Sequence, residues 1–384
     1  MRAASLQASI RPTLAALAIT AAAALGAAAP ASAAAGDNTV SHHVAQSPQE
    51  VRAFWTAERM QAAEPVGAPY AGAMRARRGQ AFGAAPGRGR APTLIPPTRG
   101  VSTYDYEPGS ETGFPQRVHG KVFFIPPEGG FAMCSGTLVA SRLQNVVFTA
   151  AHCAAGGGLF VTNLIFVPGY RDGVAPFGTF PAVGMLVPEQ WLLAESFSFD
   201  AAIVQLAVPL EAQLGARGVA FNKAPKSTYQ IFGYPAKPPP YDGERLIACD
   251  AAFVTLEFTG YPFSTVAAPC NMMQGSSGGG WVIPSGHVTS VVSHGSCDFD
   301  PATCGQTSGP YFGEAVKDLY NRAGGSAQCP PSTLALKQAK KKLRRTKKLA
   351  KRAHGKRAQR RADRTLRKSR RLVGKAQATR DEFC

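Results

Sequence analysis

Past residue 35 the sequence has no apolar run long enough to cross a membrane as a helix, which takes about 20 residues. Its last 54 residues, Pro331 to Cys384, are nearly devoid of acid, with 3 Asp or Glu against 21 Lys or Arg, and hold no aromatic residue before Phe383. The first 330 residues have no excess charge of either sign, with 21 basic and 21 acidic side chains. These absences exclude a membrane-spanning body, a compact and uniformly basic nucleic-acid-binding domain, and a tail that reads bases by stacking. A common zinc spacing is also missing: Cys297, Cys304, His287 and His294 match none, and neither a metal nor another cofactor is expected.

What is present begins with an export signal over residues 1–33. Arg2 and Arg11 precede the apolar run Leu14 to Ala29, and Ala31-Ser32-Ala33 fits the small-x-small cleavage rule, so cleavage is expected near Ala33. Export to an oxidising exterior would permit the eight cysteines to form disulfides. Residues 34–112 show little strand pattern and read as a pro-segment or disordered leader. One short helix is expected over Gln46 to Ala63, with Val51, Phe54 and Trp55 on a common face, and the Arg-, Gly- and Pro-rich stretch Arg75 to Arg99 reads as a linker.

From Gly113 the texture changes. Short Val-, Phe-, Ile- and Leu-rich runs recur between Gly and Pro breaks: Lys121–Ile125, Ser135–Ala140, Val146–Ala150, Leu159–Val167, Ala201–Leu206, Leu246–Glu257 and His287–Ser293. Many short strands with turns between them indicate an all-β sandwich or barrel pair over residues 113–326. A helix is expected at Glu314 to Arg322, stopped by Gly324-Gly325.

Three segments in this region supply the parts of a nucleophilic hydrolase. Phe148-Thr149-Ala150-Ala151-His152-Cys153 leads a strand into a turn bearing a histidine. Phe199-Asp200-Ala201-Ala202-Ile203-Val204 opens an apolar strand with an acid. Gln274-Gly275-Ser276-Ser277-Gly278-Gly279 holds serine in a glycine-rich turn. A serine hydroxyl is a weak nucleophile and needs an adjacent base; imidazole serves near neutral pH when a buried carboxylate holds its tautomer. The glycine turn lets backbone N–H groups approach a developing oxyanion. Each signal is weak singly, and their joint occurrence in this order carries the reading.

These segments resemble the chymotrypsin-like (trypsin-family) serine proteases. Thr149-Ala150-Ala151-His152-Cys153 is similar to the histidine motif, Cys134-Ser135-Gly136-Thr137-Leu138-Val139 to the strand before it, Asp200-Ala201-Ala202-Ile203-Val204 to the aspartate strand, and Gly275-Ser276-Ser277-Gly278-Gly279 to the serine motif. Phe166-Val167-Pro168-Gly169-Tyr170 through Pro176-Phe177-Gly178 resembles, more narrowly, bacterial secreted V8-type glutamyl endopeptidases. The resemblance implies two six-stranded antiparallel β-barrels with a short C-terminal helix. It implies Ser277 as nucleophile, His152 as general base and Asp200 as orienting carboxylate, with Gly275 and Ser277 N–H groups as oxyanion donors. Ser293, His294 and Gly295 would pair with substrate backbone, and Asn271 and Met272 would fall near the base of the specificity pocket. It also implies a Cys134–Cys153 bridge, worth roughly 3 kcal/mol. Asp172, in Arg171-Asp172-Gly173, is a rival for the acidic role but lacks an apolar strand behind it.

The sequence departs from the family at Ser276, where vertebrate digestive members carry an aspartate that pairs with a newly cut N-terminus; serine cannot form that pair. No carboxylate is evident in the specificity pocket, and His294 lies one place later than the histidine that V8-type relatives use. Cys249 and Cys270 flank a hairpin-like stretch, Cys297 and Cys304 staple a loop, and Cys329 and Cys384 are left over; the first two pairs are expected as disulfides.

The tail, residues 327–384, is expected to be helical or disordered, with a helix near Thr333 to Ala353, an interruption at Gly355 and a weaker amphipathic piece around Leu366 to Val373. The expected protein is a monomeric secreted serine endopeptidase acting on protein or peptide substrates. Its residues 331–384 would bind anionic cell-envelope or membrane surfaces without specific nucleic-acid recognition. An inactive protease-fold binding protein and a polyanion-binding protein acting through its tail are the alternatives.

Overall fold

The computed structural model describes residues 39–66, 91–98, 109–253, 255–257, 265–295 and 305–325, and in the tail 340–348, 350, 359, 362–371 and 373. Six antiparallel strands close the first barrel. Thr162–Pro168 pairs with His119–Ile125, which pairs with Ala132–Val139, then Val146–Thr149, Ala202–Leu206 and Phe180–Pro188. Phe180–Pro188 closes the ring through Phe180 opposite Phe166 and Pro181 opposite Ile165. Alternation explains why the ring has two apolar faces: Val122, Phe124, Leu138, Val147, Leu164, Phe166 and Val204 fill the interior. Phe123, Phe148, Ile165 and Ile203 point out into a second buried layer shared with Val219, Phe221, Phe232, Val288 and Phe312.

That layer belongs to the second half. One sheet runs Ile247–Ala252, Thr228–Gly233, Gly280–Val282, His287–Val291, Gly218–Phe221 and Thr93–Ile95; another runs Thr255–Glu257, Thr265–Pro269, Gln306–Pro310 and His294–Gly295. The all-β, two-barrel architecture is therefore present, with the second half divided between two sheets. The helix Glu314–Arg322 has the expected bounds and buries Val316, Leu319 and Tyr320. The run Leu159–Val167 is two strands, Leu159–Phe160 and Thr162–Pro168, and Leu246–Glu257 is likewise two. Among the described residues no helix is long and apolar enough to cross a membrane.

The larger differences lie before residue 112. Thr39–His43 is a strand pairing along its whole length with Phe180–Pro188, and Thr93–Ile95 pairs with Gly218–Phe221. The single helix expected over Gln46–Ala63 is two, Pro48–Phe54 and Ala57–Gln61. Ser47 and Glu50 form a capping box on the first, and Thr56 caps the second by accepting from the Arg59 N–H, so the chain turns between them. That turn puts Val51, Trp55 and Met60 against Phe123, Met133, Ile165 and Tyr170, all buried. In the tail, 340–348 and 362–371 are helical, and Thr346 Oγ1 meets Ser369 Oγ at 3.2 Å, bringing the two stretches side by side.

Candidate active site

The histidine is positioned by covalent and backbone means together. Strand Val146–Thr149 ends in a single 3-10 turn, Ala151–Cys153, and Cys153 is bridged to Cys134 in the neighbouring strand. Thr149 Oγ1 donates to the Ser135 carbonyl at 2.8 Å, tying the same corner a second time. The register Ala202 opposite Thr149 then carries Asp200, just before the next strand, alongside His152.

Asp200 is fully buried and accepts three hydrogen bonds. The His152 N–H donates to Oδ1 at 2.9 Å, His152 Nδ1 lies 2.8 Å from Oδ2, and Ser293 Oγ donates to Oδ2 at 2.6 Å. Burial pushes the Asp200 carboxyl up, but the attraction of His152 and these three bonds outweigh it and hold the group below its ordinary value. An ionised Asp200 requires the proton on Nδ1, which leaves the lone pair on Nε2. His152 Nε2 is buried and, among the described residues, has no hydrogen-bond partner.

Ser277 arrives from the second half on a tight turn. Ser276 N–H donates to the Met273 carbonyl, Gly279 N–H to the Ser276 carbonyl, and Gly278 N–H to the Val292 carbonyl. Ser135 N–H donates to the Ser277 carbonyl at 2.7 Å, so the turn is stitched to the first barrel. Gly275 has φ +93°, and a Cβ at Gly278, itself at φ +84°, would collide with Thr149 Oγ1 and the Ser135 carbonyl. Only glycine satisfies both positions.

The remaining expected residues are spread around this centre. Ser293 holds Asp200, and its Oγ lies 3.2 Å from His294 Nδ1; the buried His294 ring packs on Phe197 at 4.3 Å. His294–Gly295 pairs with Ser308 and Thr307. Asn271 is exposed and accepts from Tyr241 Oη at 3.1 Å, whereas Met272 lies in the second half's core with Tyr229, Ile231 and Trp281. Asp172 is a surface residue paired with Arg245 at 2.7 Å and Arg171 at 3.3 Å, and Asp200, not Asp172, meets His152. Cys249 and Cys270 are bridged; Cys297, Cys304, Cys329 and Cys384 lie outside the described residues. Cys134, Cys153 and His152 cluster closely enough to suggest a metal site, but both sulfurs are spent in the disulfide and offer no thiolate.

Two features of the site escaped the sequence. Trp191, buried, lies 6.1 Å from the His152 ring with its indole N–H on the Ala155 carbonyl. The Val66 carbonyl reaches the serine turn from 211 residues upstream, accepting from the Gly275 N–H at 3.3 Å and from Ser277 Oγ at 3.4 Å. No local signal in the sequence marks either approach.

No family model matches the chain, and no curated protein matches it. Among solved structures, the protease Anisep from Arthrobacter nicotinovorans is 36% identical over 55% of this chain and 96% of its own, with a TM-score of 0.50. The thermostable serine protease AL20 from an extremophilic microorganism is 33% identical over 54% of this chain and 97% of its own, also at a TM-score of 0.50. Identity at this level across nearly the whole length of both enzymes, on a two-barrel frame, is family membership: the chain belongs to the chymotrypsin-like serine proteases.

Proposed function

We propose that the protein is an exported serine endopeptidase in which Ser277 attacks the peptide carbonyl, His152 takes and later returns the proton, and Asp200 orients His152. The observation that carries this reading is the His152–Asp200 pair: two hydrogen bonds to one buried carboxylate fix the ring and leave Nε2 as the basic nitrogen of the imidazole. Attack transfers the Ser277 proton to Nε2 and forms a tetrahedral oxyanion, for which Gly275 and Ser277 N–H groups serve as donors. Collapse releases the amine, protonated by His152, and leaves an acyl-enzyme that water hydrolyses by the same steps. Ser293 to Gly295 would pair with the substrate backbone. With Asn271 exposed and Met272 in the core, neither position supplies a carboxylate for a Lys- or Arg-selective pocket.

On this reading the catalytic domain is 113–326, preceded by a signal and leader. The tail holds the enzyme at an anionic surface: the helical stretch 340–348 carries seven Lys or Arg in nine residues. Two bridged cysteine pairs are compatible with an extracellular location. The test is casein cleavage and uptake of a serine-directed phosphonate, in parallel with Ser277→Ala. Cleavage and labelling at Ser277 that both vanish in the variant support the proposal; labelling elsewhere, or cleavage that survives in Ser277→Ala, overturns it.

A further inference from the structure

The leader segment 39–66 does not merely cover the barrel; its Val66 reaches the serine turn. Strand Thr39–His43 anchors it at one edge, and Trp55 fixes it again, with its indole N–H on the Asn163 carbonyl at 2.6 Å and its ring 5.5 Å from Phe123. From there Glu64–Pro65 runs parallel to Ala132–Met133. Glu64 N–H bonds the Phe131 carbonyl at 2.9 Å, and Val66 N–H bonds the Met133 carbonyl at 3.1 Å. This short ladder aims the Val66 carbonyl at Gly275 N–H and Ser277 Oγ.

We infer that residues 39–66 are an intramolecular inhibitor of the cleft, acting by placing the Val66 carbonyl in the oxyanion position and diverting the Ser277 proton away from His152. The inference rests on the proposed roles of Ser277, His152 and Gly275. Three observations converge on it. The donor N–H of Gly275 is taken by Val66. The nucleophile's hydroxyl donates to the same oxygen. The base it should donate to, His152 Nε2, is left buried and without a partner among the described residues. The described leader residues 64–66 are held along 131–133, beside the serine turn.

The two contacts of Val66 are long, and on their own would give a weak inhibitor. Their strength comes from tethering. With Val51, Trp55 and Met60 already buried, Val66 is presented at high effective concentration and loses little entropy on docking. Releasing Val66 frees both the oxyanion donor and the serine proton at once.

The experiment compares the rate of phosphonate labelling at Ser277 in the full chain, in Val66→Pro and in Trp55→Ala. Val66→Pro removes the N–H that aims the carbonyl, and Trp55→Ala loosens the anchor; neither residue belongs to the catalytic machinery. Hydrogen exchange at the Glu64 amide reports whether the ladder has opened. Labelling about tenfold faster in both variants, with faster exchange at Glu64, is the expected result; tenfold corresponds to about 1.4 kcal/mol. Equal labelling in all three proteins, with the ladder open in the variants, overturns the inhibitor and leaves the serine-hydrolase reading standing. No labelling at Ser277 in any of them overturns that reading and the inhibitor with it.

Discussion

Residues 39–66 and residues 331–384 both flank the region that resembles the protease family, and they differ in what they can bury. The leader holds three acidic and two basic side chains and a set of large apolar ones, Val51, Phe54, Trp55 and Met60. Each finds a place: Val51, Trp55 and Met60 are buried, and Phe54 is capped by the Arg59 guanidinium at 4.3 Å. The tail has 21 basic side chains to 3 acidic and no aromatic before its penultimate residue. Its described helical stretches meet through two small hydroxyls, Thr346 and Ser369. A few bulky side chains with balanced charge let a short segment join a core, whereas like-charge repulsion works against a cationic one doing the same.

The largest expected effect sets the floor for this comparison. Ser277→Ala lowers kcat about 10⁶-fold and Asp200→Asn about 10⁴-fold, irrespective of whether leader or tail is intact; steady-state peptidase assays check both. If removing the tail restored activity to Ser277→Ala, the chemistry would have been placed in the wrong region.

Stability separates the two segments next. Trp55→Ala is expected to cost about 3–5 kcal/mol in chemical denaturation, because it empties a buried aromatic site and leaves the Asn163 carbonyl unpaired. Truncation of 331–384 should change the same quantity by less than about 0.5 kcal/mol. Equal losses would erase the distinction.

The body supplies a pH-dependent reference. His119 is fully buried, stacked on Phe232 at 4.1 Å and faced by Arg217 Nε at 3.2 Å and Thr137 Oγ1 at 3.0 Å. Burial, and then the Arg217 charge, hold its pKa well below the ordinary value. The folded protein therefore keeps His119 neutral while the unfolded chain takes up a proton below about pH 6.5. Stability should fall as pH drops through that range, by up to about 1.4 kcal/mol per unit, until the folded histidine also protonates. His119→Gln should flatten this slope in denaturation curves taken between about pH 7 and pH 5. Truncating the tail should leave the slope as it is.

Smaller effects sharpen the contrast further. Ser47→Ala breaks the capping box of Pro48–Phe54 and should cost about 1 kcal/mol. Loss of the tail should leave kcat/KM on a neutral peptide within about twofold. It should also abolish the salt-dependent retention of the full chain on an anionic surface, measured across a salt series. Retention with an unchanged salt slope after truncation would remove the tail's proposed role.

Legibility followed locality. Val146–Thr149, Ala202–Leu206 and Glu314–Arg322 were readable because each is a short apolar or amphipathic pattern bounded by turn residues. The strand Phe180–Pro188 was not, since Pro181 and Gly184 interrupt its pattern; it tolerates both at a register shift between Ala182 and Gly184. The leader was readable only in part: helix was expected over Gln46–Ala63, but not its break into helices of seven and five residues, each short enough to depend on packing against Phe123, Ile165 and Tyr170.

Legible in the sequence were the all-β class and a histidine, an aspartate and a serine in an order resembling one family; that resemblance implied the Cys134–Cys153 bridge, Cys249–Cys270 was an expectation, and both bridges are present in the structure. These were legible because motif residues act through short-range constraints: a turn, a disulfide loop, a strand period. It took the packed fold to make Ser293 hold Asp200, to send Met272 to the core and to bring Val66 beside Ser277. Those outcomes depend on which surfaces close on one another after barrel formation, and such closures leave no local pattern to read.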